Sequence, residues 1–158
     1  MKKIKLSNAD DYTLVDDEDY PILSRYTWRK DPKGYAVTGF MGTTIRLHRF
    51  ILNPPKDVQI DHVNCEKLDN RKSNLRKATN TENQRNVKKK TSVNGRKMSS
   101  KYKGVNLRKC TGKFIARISV NGERLFLGNF LTEEEAAHAY NEAAYIHFGE
   151  FARLNKVI

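Results

Sequence analysis

The amino-acid sequence predicts an α+β protein made of small antiparallel sheets, each backed by a helix, and three local signals carry that expectation. Asn121-Gly122 separates two runs of alternating apolar and polar residues, and because both residues tolerate positive φ the pair favours a two-residue hairpin turn. Thr132 precedes Glu135, and Thr79 precedes Glu82, at the spacing that lets a hydroxyl and a carboxylate cap a helix start reciprocally. Val58 to Asp61 and Leu75 to Ala78 are short strand-like segments on either side of a polar loop, so strand, loop, strand and helix succeed one another in one stretch.

Taken in order, the segments YTLV (12–15), GYAVTGF (34–40) and TTIRL (43–47) lie between turn residues and predict an N-terminal β region that braces the segments C-terminal to it. HRFIL (48–52) reads as a short helical turn stopped by Asn53-Pro54-Pro55, since proline cannot extend a helix and restrains its predecessor. VKKKTSVNGRKMSS (87–100) lacks apolar periodicity and reads as a basic linker lying along phosphates. Beyond it, Val105 to Arg108, Lys113 to Val120 and Arg124 to Phe130 predict three strands. A helix then runs from the Thr132 cap to about His147, before Gly149. Its inner face is expected to consist of Ala136, Ala139, Tyr140, Ala143 and Ala144, small enough to let it lie close on the sheet. The predicted organisation is therefore a first domain over 1–86, a linker over 87–100 and a second domain over 101–158.

Charge narrows the function. Thirty Lys and Arg against eighteen Asp and Glu give a net charge of +12, which points to a polyanionic partner. The charge is uneven. Asp10, Asp11, Asp16, Asp17, Glu18 and Asp19 cluster near the start, whereas Gln84 to Lys109 carries ten basic residues and no acidic one. The two cysteines, Cys65 and Cys110, are far apart and form no CxxC pair, so neither a structural zinc nor a disulfide framework is expected. No apolar run approaches a membrane span and no signal-peptide core comes after Met1, so an intracellular protein without a membrane partner is expected, in the cytoplasm of a bacterial or phage-infected cell.

The chemistry concentrates between Gln59 and Asn86. Phosphodiester hydrolysis needs a base to deprotonate water and a cation to neutralise charge on the phosphate and leaving oxygen. An unperturbed imidazole titrates near neutrality, so His62 can act as the base, while Asp61 beside it is a hard oxygen ligand suited to one divalent ion, Mg²⁺ with Mn²⁺ as the alternative. Consecutive strand residues face opposite ways, so Asp61 and His62 can share a site only if the strand ends or bends there. Asn83, one turn inside the helix, can add an amide oxygen to the metal. Asn74, on the returning side of the loop, can hold His62 in one tautomer.

The run LHRFIL, IDHVN, DNRKSNLR, AT and EN resembles the HNH family of homing and phage-type endonucleases over about Leu47 to Asn86. The preceding VDDEDYPILSRYTW is similar to the N-terminal region of some phage-type members. The resemblance implies a ββα-metal (His-Me finger) fold with an N-terminal β extension. It also implies His62 as general base, Asp61 and Asn83 as metal ligands and Asn74 as orienting residue. Asn70 is expected to fasten the loop, and His48 to be a packed rather than a chemical histidine.

The second domain carries Tyr102-Lys103-Gly104-Val105, Gly112-Lys113-Phe114, Leu127-Gly128 and Glu134-Glu135-Ala136-Ala137, with Ala139-Tyr140 and Ala143-Ala144. In these it resembles the plant ethylene-response-factor (Apetala-like) DNA-binding domain. That family lays a three-stranded antiparallel sheet, packed on one helix, in the major groove, which admits a β-ribbon. Residue by residue the resemblance places Lys103, Asn106, Arg108, Arg117, Ser119, Arg124 and Phe126 on the groove side, and Lys88, Lys89 and Lys90 of the linker are expected along the backbone. Lys103 and Asn106 stand where arginines are usual, Arg117 replaces an acid, Ser119 an arginine and Phe126 a tryptophan, so the plant family's preferred target does not carry over.

The resulting expectation is a metal-dependent endonuclease of double-stranded DNA, targeted by its C-terminal domain and acting as a monomer or a DNA-bound dimer. A non-cleaving sequence-specific regulator is the alternative, distinguished by binding that needs no Mg²⁺; structural RNA binding is a third reading.

Overall fold

The structure, a computed structural model, describes residues 1–89, 92–93 and 95–157. The chain divides into two compact units, Met1–Asn83 and Gln84–Ile158. It is a mixed α and β protein whose several small sheets, among the described residues, are antiparallel. No helix is long and apolar enough to cross a membrane among the described residues.

In the first unit β1 (Lys2–Lys5) and β2 (Tyr12–Val15) form a hairpin. The short helix α1 (Tyr20–Leu23) leads into a three-stranded sheet of β3 (Arg29–Lys30), β4 (Ala36–Phe40) and β5 (Thr43–Arg46). Helix α2 (Leu47–Leu52) comes next and stops at Asn53, which takes the left-handed conformation at φ 40° before the two prolines. Leu6, Val15, Leu23, Trp28 and Leu47 form the buried centre. Tyr26 and Phe50 close it with edge-to-face ring contacts to Trp28 and to each other, and the indole N–H, buried with the ring, donates to Leu23 O at 2.9 Å.

Beyond the prolines the chain forms β6 (Gln59–His62), returns as β7 (Leu75–Ala78) and enters α3 (Asn80–Arg85). Thr79 and Glu82 cap this helix reciprocally: the Glu82 carboxylate accepts from Thr79 N at 2.7 Å and Glu82 N donates to Thr79 Oγ1 at 3.2 Å. Arg49 of α2 reaches over the proline turn and donates to Val58 O and Pro55 O, both at 2.8 Å, so the core helix sets where β6 begins.

The loop between β6 and β7 is fastened to the N-terminal hairpin. Leu14 N donates to Leu68 O at 2.7 Å and Asn70 N donates to Leu14 O at 2.9 Å, an isolated parallel bridge on the free edge of β2. The early acidic cluster serves the same loop. Asp16 accepts from Lys72 N at 2.7 Å, and the Lys72 ammonium pairs with Glu18 at 2.6 Å and Asp19 at 3.0 Å.

In the second unit, β8 (Ser92–Val93) and β9 (Arg96–Lys97) pair within the stretch expected as a linker. The sheet proper runs β10 (Val105–Arg108), β11 (Lys113–Val120) and β12 (Glu123–Phe130) in sequence order. Asn121 and Gly122, both at positive φ, form the hairpin turn. Helix α4 (Glu133–Phe148) starts with the full capping box of Thr132 and Glu135. Its fully buried stripe is Ala136, Ala137, Tyr140, Ala144 and Phe148, whereas Ala139 and Ala143 of the expected face are only half-buried. Tyr140 turns the helix this way: its ring lies against Gly104, where a β-carbon would come within 1.9 Å of it. The adjoining alanines are small enough to let the helix settle at that distance.

Candidate active site

Pairing in the β6–β7 ribbon puts Asp61 opposite Arg76 and His62 opposite Leu75. The strand stays regular through His62, its last residue, so the two neighbouring side chains leave it differently. The Asp61 carboxylate is taken by Arg76, which donates through Nε at 3.0 Å and Nη2 at 2.7 Å. Both partners are largely buried, with side-chain exposures of 6% and 14%. His62 instead meets Asn70, whose Oδ1 lies 3.3 Å from Nε2. The rings of His48 and Tyr35 stand 5.1 and 6.0 Å away, centroid to centroid.

Burial pushes the His62 imidazole below its ordinary pKa, against the opposing pull of the Asn70 hydrogen bond and the Asp61 and Asp69 charges. His48 is driven further, to about 3, first by burial and then by His62, Arg46 and Arg49. Both imidazoles are thus held neutral, the form a proton acceptor requires. Tyr35 forms the wall of this pocket, its ring flanked by Arg46 and Lys67, each 4.7 Å from the centroid. Burial raises its phenol, and Asp61 contributes to that rise, so Asp61 lies within electrostatic reach of both Tyr35 and His62.

Asn74 does not hold the imidazole. Its Oδ1 accepts from Asn64 N at 3.0 Å and its Nδ2 donates to Asp69 O at 2.8 Å. With Asn64 Nδ2 on Asp69 at 2.9 Å, this knits the loop that starts after His62. Asn70, 1% exposed, hydrogen-bonds the imidazole, and its Nδ2 donates to Thr13 Oγ1 at 2.8 Å. The path from hairpin to histidine is therefore direct: β2, Thr13, Asn70, His62.

Asn83 comes to the ribbon from α3, where its Nδ2 donates to Gln59 Oε1 at 2.8 Å. Gln59 and Asp61 alternate along β6 and so share a face, which places Asn83 beside that face without a bond to Asp61 itself. Its carbonyl oxygen accepts no hydrogen bond among the described residues. No cluster of three or more His, Cys, Asp and Glu side chains occurs among the described residues. A cation at this ribbon would be held by one carboxylate with amide oxygen, a hard donor set that leaves positions for water and phosphate.

In the second unit Asn106, Arg108, Arg117, Ser119, Arg124 and Phe126 are all exposed at alternating strand positions. Ser119 pairs across from Arg124 and Arg117 from Phe126, so they form neighbouring pairs on one sheet face. Phe126 is 56% exposed. Lys103 and Lys89 are placed otherwise. The Lys103 ammonium donates to Arg85 O at 2.5 Å and Val87 O at 3.0 Å, and that of Lys89 to Tyr102 O at 2.6 Å and Val105 O at 2.8 Å. Burial lowers the Lys89 pKa accordingly. Lys88 is exposed and lines a cavity of about 280 Å³ with Lys101, Arg153 and Lys156. Lys90 lies outside the described residues.

The sequence reading did not single out Arg76, Gln59 or Tyr35. Arg76 and Gln59 emerge once the ribbon register is laid down, Arg76 as the cross-strand partner of Asp61 and Gln59 as its same-face neighbour. Tyr35 lies just before β4, distant in sequence, and leaves no local signal.

Comparison with known proteins identifies the family. Residues 53–85, which contain the whole ribbon and its helix, match the family described as HNH endonuclease. The chain is 34% identical over 176 aligned residues to an uncharacterized HNH endonuclease of Acanthamoeba polyphaga mimivirus, covering 96% of this chain and 88% of that one. A 46-residue stretch is 52% identical to dehydration-responsive element-binding protein 2A of rice and of Arabidopsis thaliana. That stretch is 28% of this chain and 17% and 14% of those proteins. No solved structure matches the chain. Likeness along nearly the full length of a viral HNH endonuclease, joined to a family match centred on the Asp61-His62 ribbon, establishes that this chain belongs to the HNH endonuclease family.

Proposed function

We propose that the chain cuts double-stranded DNA with one divalent cation at a ββα-metal site in residues 59–85, and that the sheet of its second unit selects where it cuts. The observation that carries this reading is that the last two residues of β6 are a carboxylate partnered by a positive charge and, within electrostatic reach of it, a buried neutral imidazole. His62 accepts a proton from water as the water oxygen attacks phosphorus, and the bond from phosphorus to the leaving sugar oxygen breaks as the new one forms. Asn70 aims the imidazole, while Asn74 and Asn64 hold the loop that begins one residue later. Asp61 and the Asn83 carbonyl are the oxygens that would hold Mg²⁺ or Mn²⁺. Such an ion supplies charge neutralisation for the phosphate and the leaving oxygen. The fit rests on the hard donors present and on Arg76, whose guanidinium is accommodated against Asp61 in this largely buried setting.

For targeting, the support is the exposed face of Asn106, Arg108, Arg117, Ser119, Arg124 and Phe126, together with the short likeness to plant proteins named for binding a DNA element. Lys89 and Lys103 serve this unit by tying residues 85–89 to the start of its sheet. In this organisation residues 1–86 cut, 87–100 connect and 101–158 recognise. One site per chain cuts one strand per binding event, so two-strand cleavage requires a second copy on the DNA or a second encounter.

The test is cleavage of a random-sequence supercoiled plasmid pool with Mg²⁺ and with EDTA, by the intact chain and by His62→Ala. Nicking or linearisation that needs Mg²⁺ and is lost in the variant, with duplex affinity retained, is the expected result. Tight duplex binding with no scission under any divalent ion would overturn the nuclease reading in favour of a regulator.

A further inference from the structure

The buried pair between Asp61 and Arg76 puts a fixed positive charge on the carboxylate assigned above to the metal. From this juxtaposition we infer that Arg76 is a positioning residue that couples cation binding to DNA binding: the guanidinium occupies Asp61 in the DNA-free protein and transfers to a backbone phosphate when DNA enters, giving Asp61 to the cation. The inference rests on the assignment of Asp61 as a metal ligand.

Arg76 holds Asp61 Oδ2 through two nitrogens, Nε at 3.0 Å and Nη2 at 2.7 Å. The pair is sequestered, with side-chain exposures of 6% for Asp61 and 14% for Arg76. At so little exposed a pair, a guanidinium and a divalent ion on one carboxylate repel each other strongly, because the interaction is poorly screened. One must yield. Arginine cannot do so by losing its proton, and to leave Asp61 for solvent alone would exchange two charge-assisted hydrogen bonds for bonds to water. A phosphate offers it an equivalent partner, since the planar fork matches phosphate oxygens as well as carboxylate ones.

The exchange is favourable only when both ligands arrive, so cation and DNA bind with positive cooperativity, and by linkage each tightens the other by the same factor. Arg76 sits on β7 directly across the ribbon from Asp61, so the hand-over needs a side-chain rotation and no movement of the backbone pairing. The DNA-free enzyme then binds its cation weakly.

The experiment measures Mn²⁺ binding by the full chain carrying His62→Ala, which leaves DNA uncut, from the loss of the free-ion electron paramagnetic resonance signal. Without DNA, Arg76→Met is expected to bind Mn²⁺ roughly tenfold tighter or more, the lower end of the coupling seen for close charge pairs; Arg76→Lys, which keeps the charge, is expected to stay weak. With a mixed-sequence duplex present, and the Mn²⁺ held by that duplex alone subtracted, the Arg76 protein is expected to gain about the same factor and Arg76→Met to gain none. Equal DNA-free affinities for Arg76 and Arg76→Met overturn the exchange. Should Arg76→Met not fold, absence of a DNA-dependent gain in the Arg76 protein overturns it instead. An Asp61→Asn control separates the two layers: undiminished Mn²⁺ binding there removes the metal-site reading itself, whereas lost binding there with no effect at Arg76 removes only the exchange.

Discussion

Asn70→Ala tests the strut between the N-terminal hairpin and the histidine. The Asn70 side chain is 1% exposed and makes three contacts, to His62 Nε2 at 3.3 Å, Thr13 Oγ1 at 2.8 Å and Lys67 O at 3.3 Å. Truncation removes all three while the backbone bond from Asn70 N to Leu14 O can persist. At about 1 kcal/mol net for each bond the loss is about 3 kcal/mol, and partners left unsatisfied in a buried site push it upward. Trp28 makes the assay clean, because it is the chain's one tryptophan and is buried at 1% exposure in the first unit's core. Its fluorescence in a urea titration therefore tracks that unit even if the second unfolds separately. Cleavage of plasmid should fall about 10- to 100-fold, the usual effect of losing a residue that orients a functional group, with duplex affinity unchanged. A stability loss under about 1 kcal/mol together with full activity would refute the strut. A stability loss with full activity would leave the brace and remove the orienting role.

Gly104→Ala should destabilise the second unit by more than about 3 kcal/mol, combining a left-handed backbone with overpacking. The added carbon would stand 1.9 Å from the Tyr140 ring and 2.7 Å from Arg117 O at φ +77°. Far-ultraviolet circular dichroism would show the change while the Trp28 transition stays in place. Arg117→Ala and Arg124→Ala should each weaken duplex binding. If the side chain contacts phosphate, the slope of log affinity against log salt should drop by about one; if it reads a base, site preference relaxes instead. Stability of the first unit should fall in acid because of His48. Its folded pKa of about 3 lies below the ordinary 6.5, so the unfolded chain binds the proton first. The contribution is complete above pH 6.5 and is lost as pH falls toward 3. From pH 7 to 5 this loss is about 2 kcal/mol by linkage, and His48→Phe should flatten that part of the Trp28-monitored curve.

How much of the fold and site was legible in the sequence depended on the range of the interaction that decides each part. The turn at Asn121-Gly122, the caps at Thr132 and Thr79 and the stop at Asn53 are settled by neighbours a few residues apart, and the elements formed at those places. The loop of the candidate site was different. Asn64, Asn70 and Asn74 with Asp69 are short polar side chains of similar reach, and only the docking of Leu14 on Leu68 and Asn70, more than fifty positions away in sequence, decides which asparagine faces His62. The expected partner, Asn74, holds the loop and Asn70 takes the imidazole. Similar long-range placement explains Lys89 and Lys103. Composition marks Lys89 as a phosphate contact and the plant-family resemblance puts Lys103 on the groove side, but backbone carbonyls of the second unit take their ammonium groups.

The early acidic cluster joins these observations. In a chain of net charge +12 that acts on a polyanion, six carboxylates ahead of the nuclease ribbon oppose DNA approach, so they need a structural return. Asp16, Glu18 and Asp19 supply it at Lys72, fixing the loop on the far side of Asn70 from Leu68, which Thr13 and Leu14 hold. Such exposed pairs contribute little singly, yet here two attachments bracket Asn70 and limit how far it can drift from His62. The arrangement implies a graded dependence. Neutralising Glu18 alone should cost almost nothing, whereas Asp16→Ala, which also removes the acceptor of Lys72 N, should lower cleavage before it measurably lowers stability. Equal small effects on both would mean that the hairpin bridge alone fixes the loop.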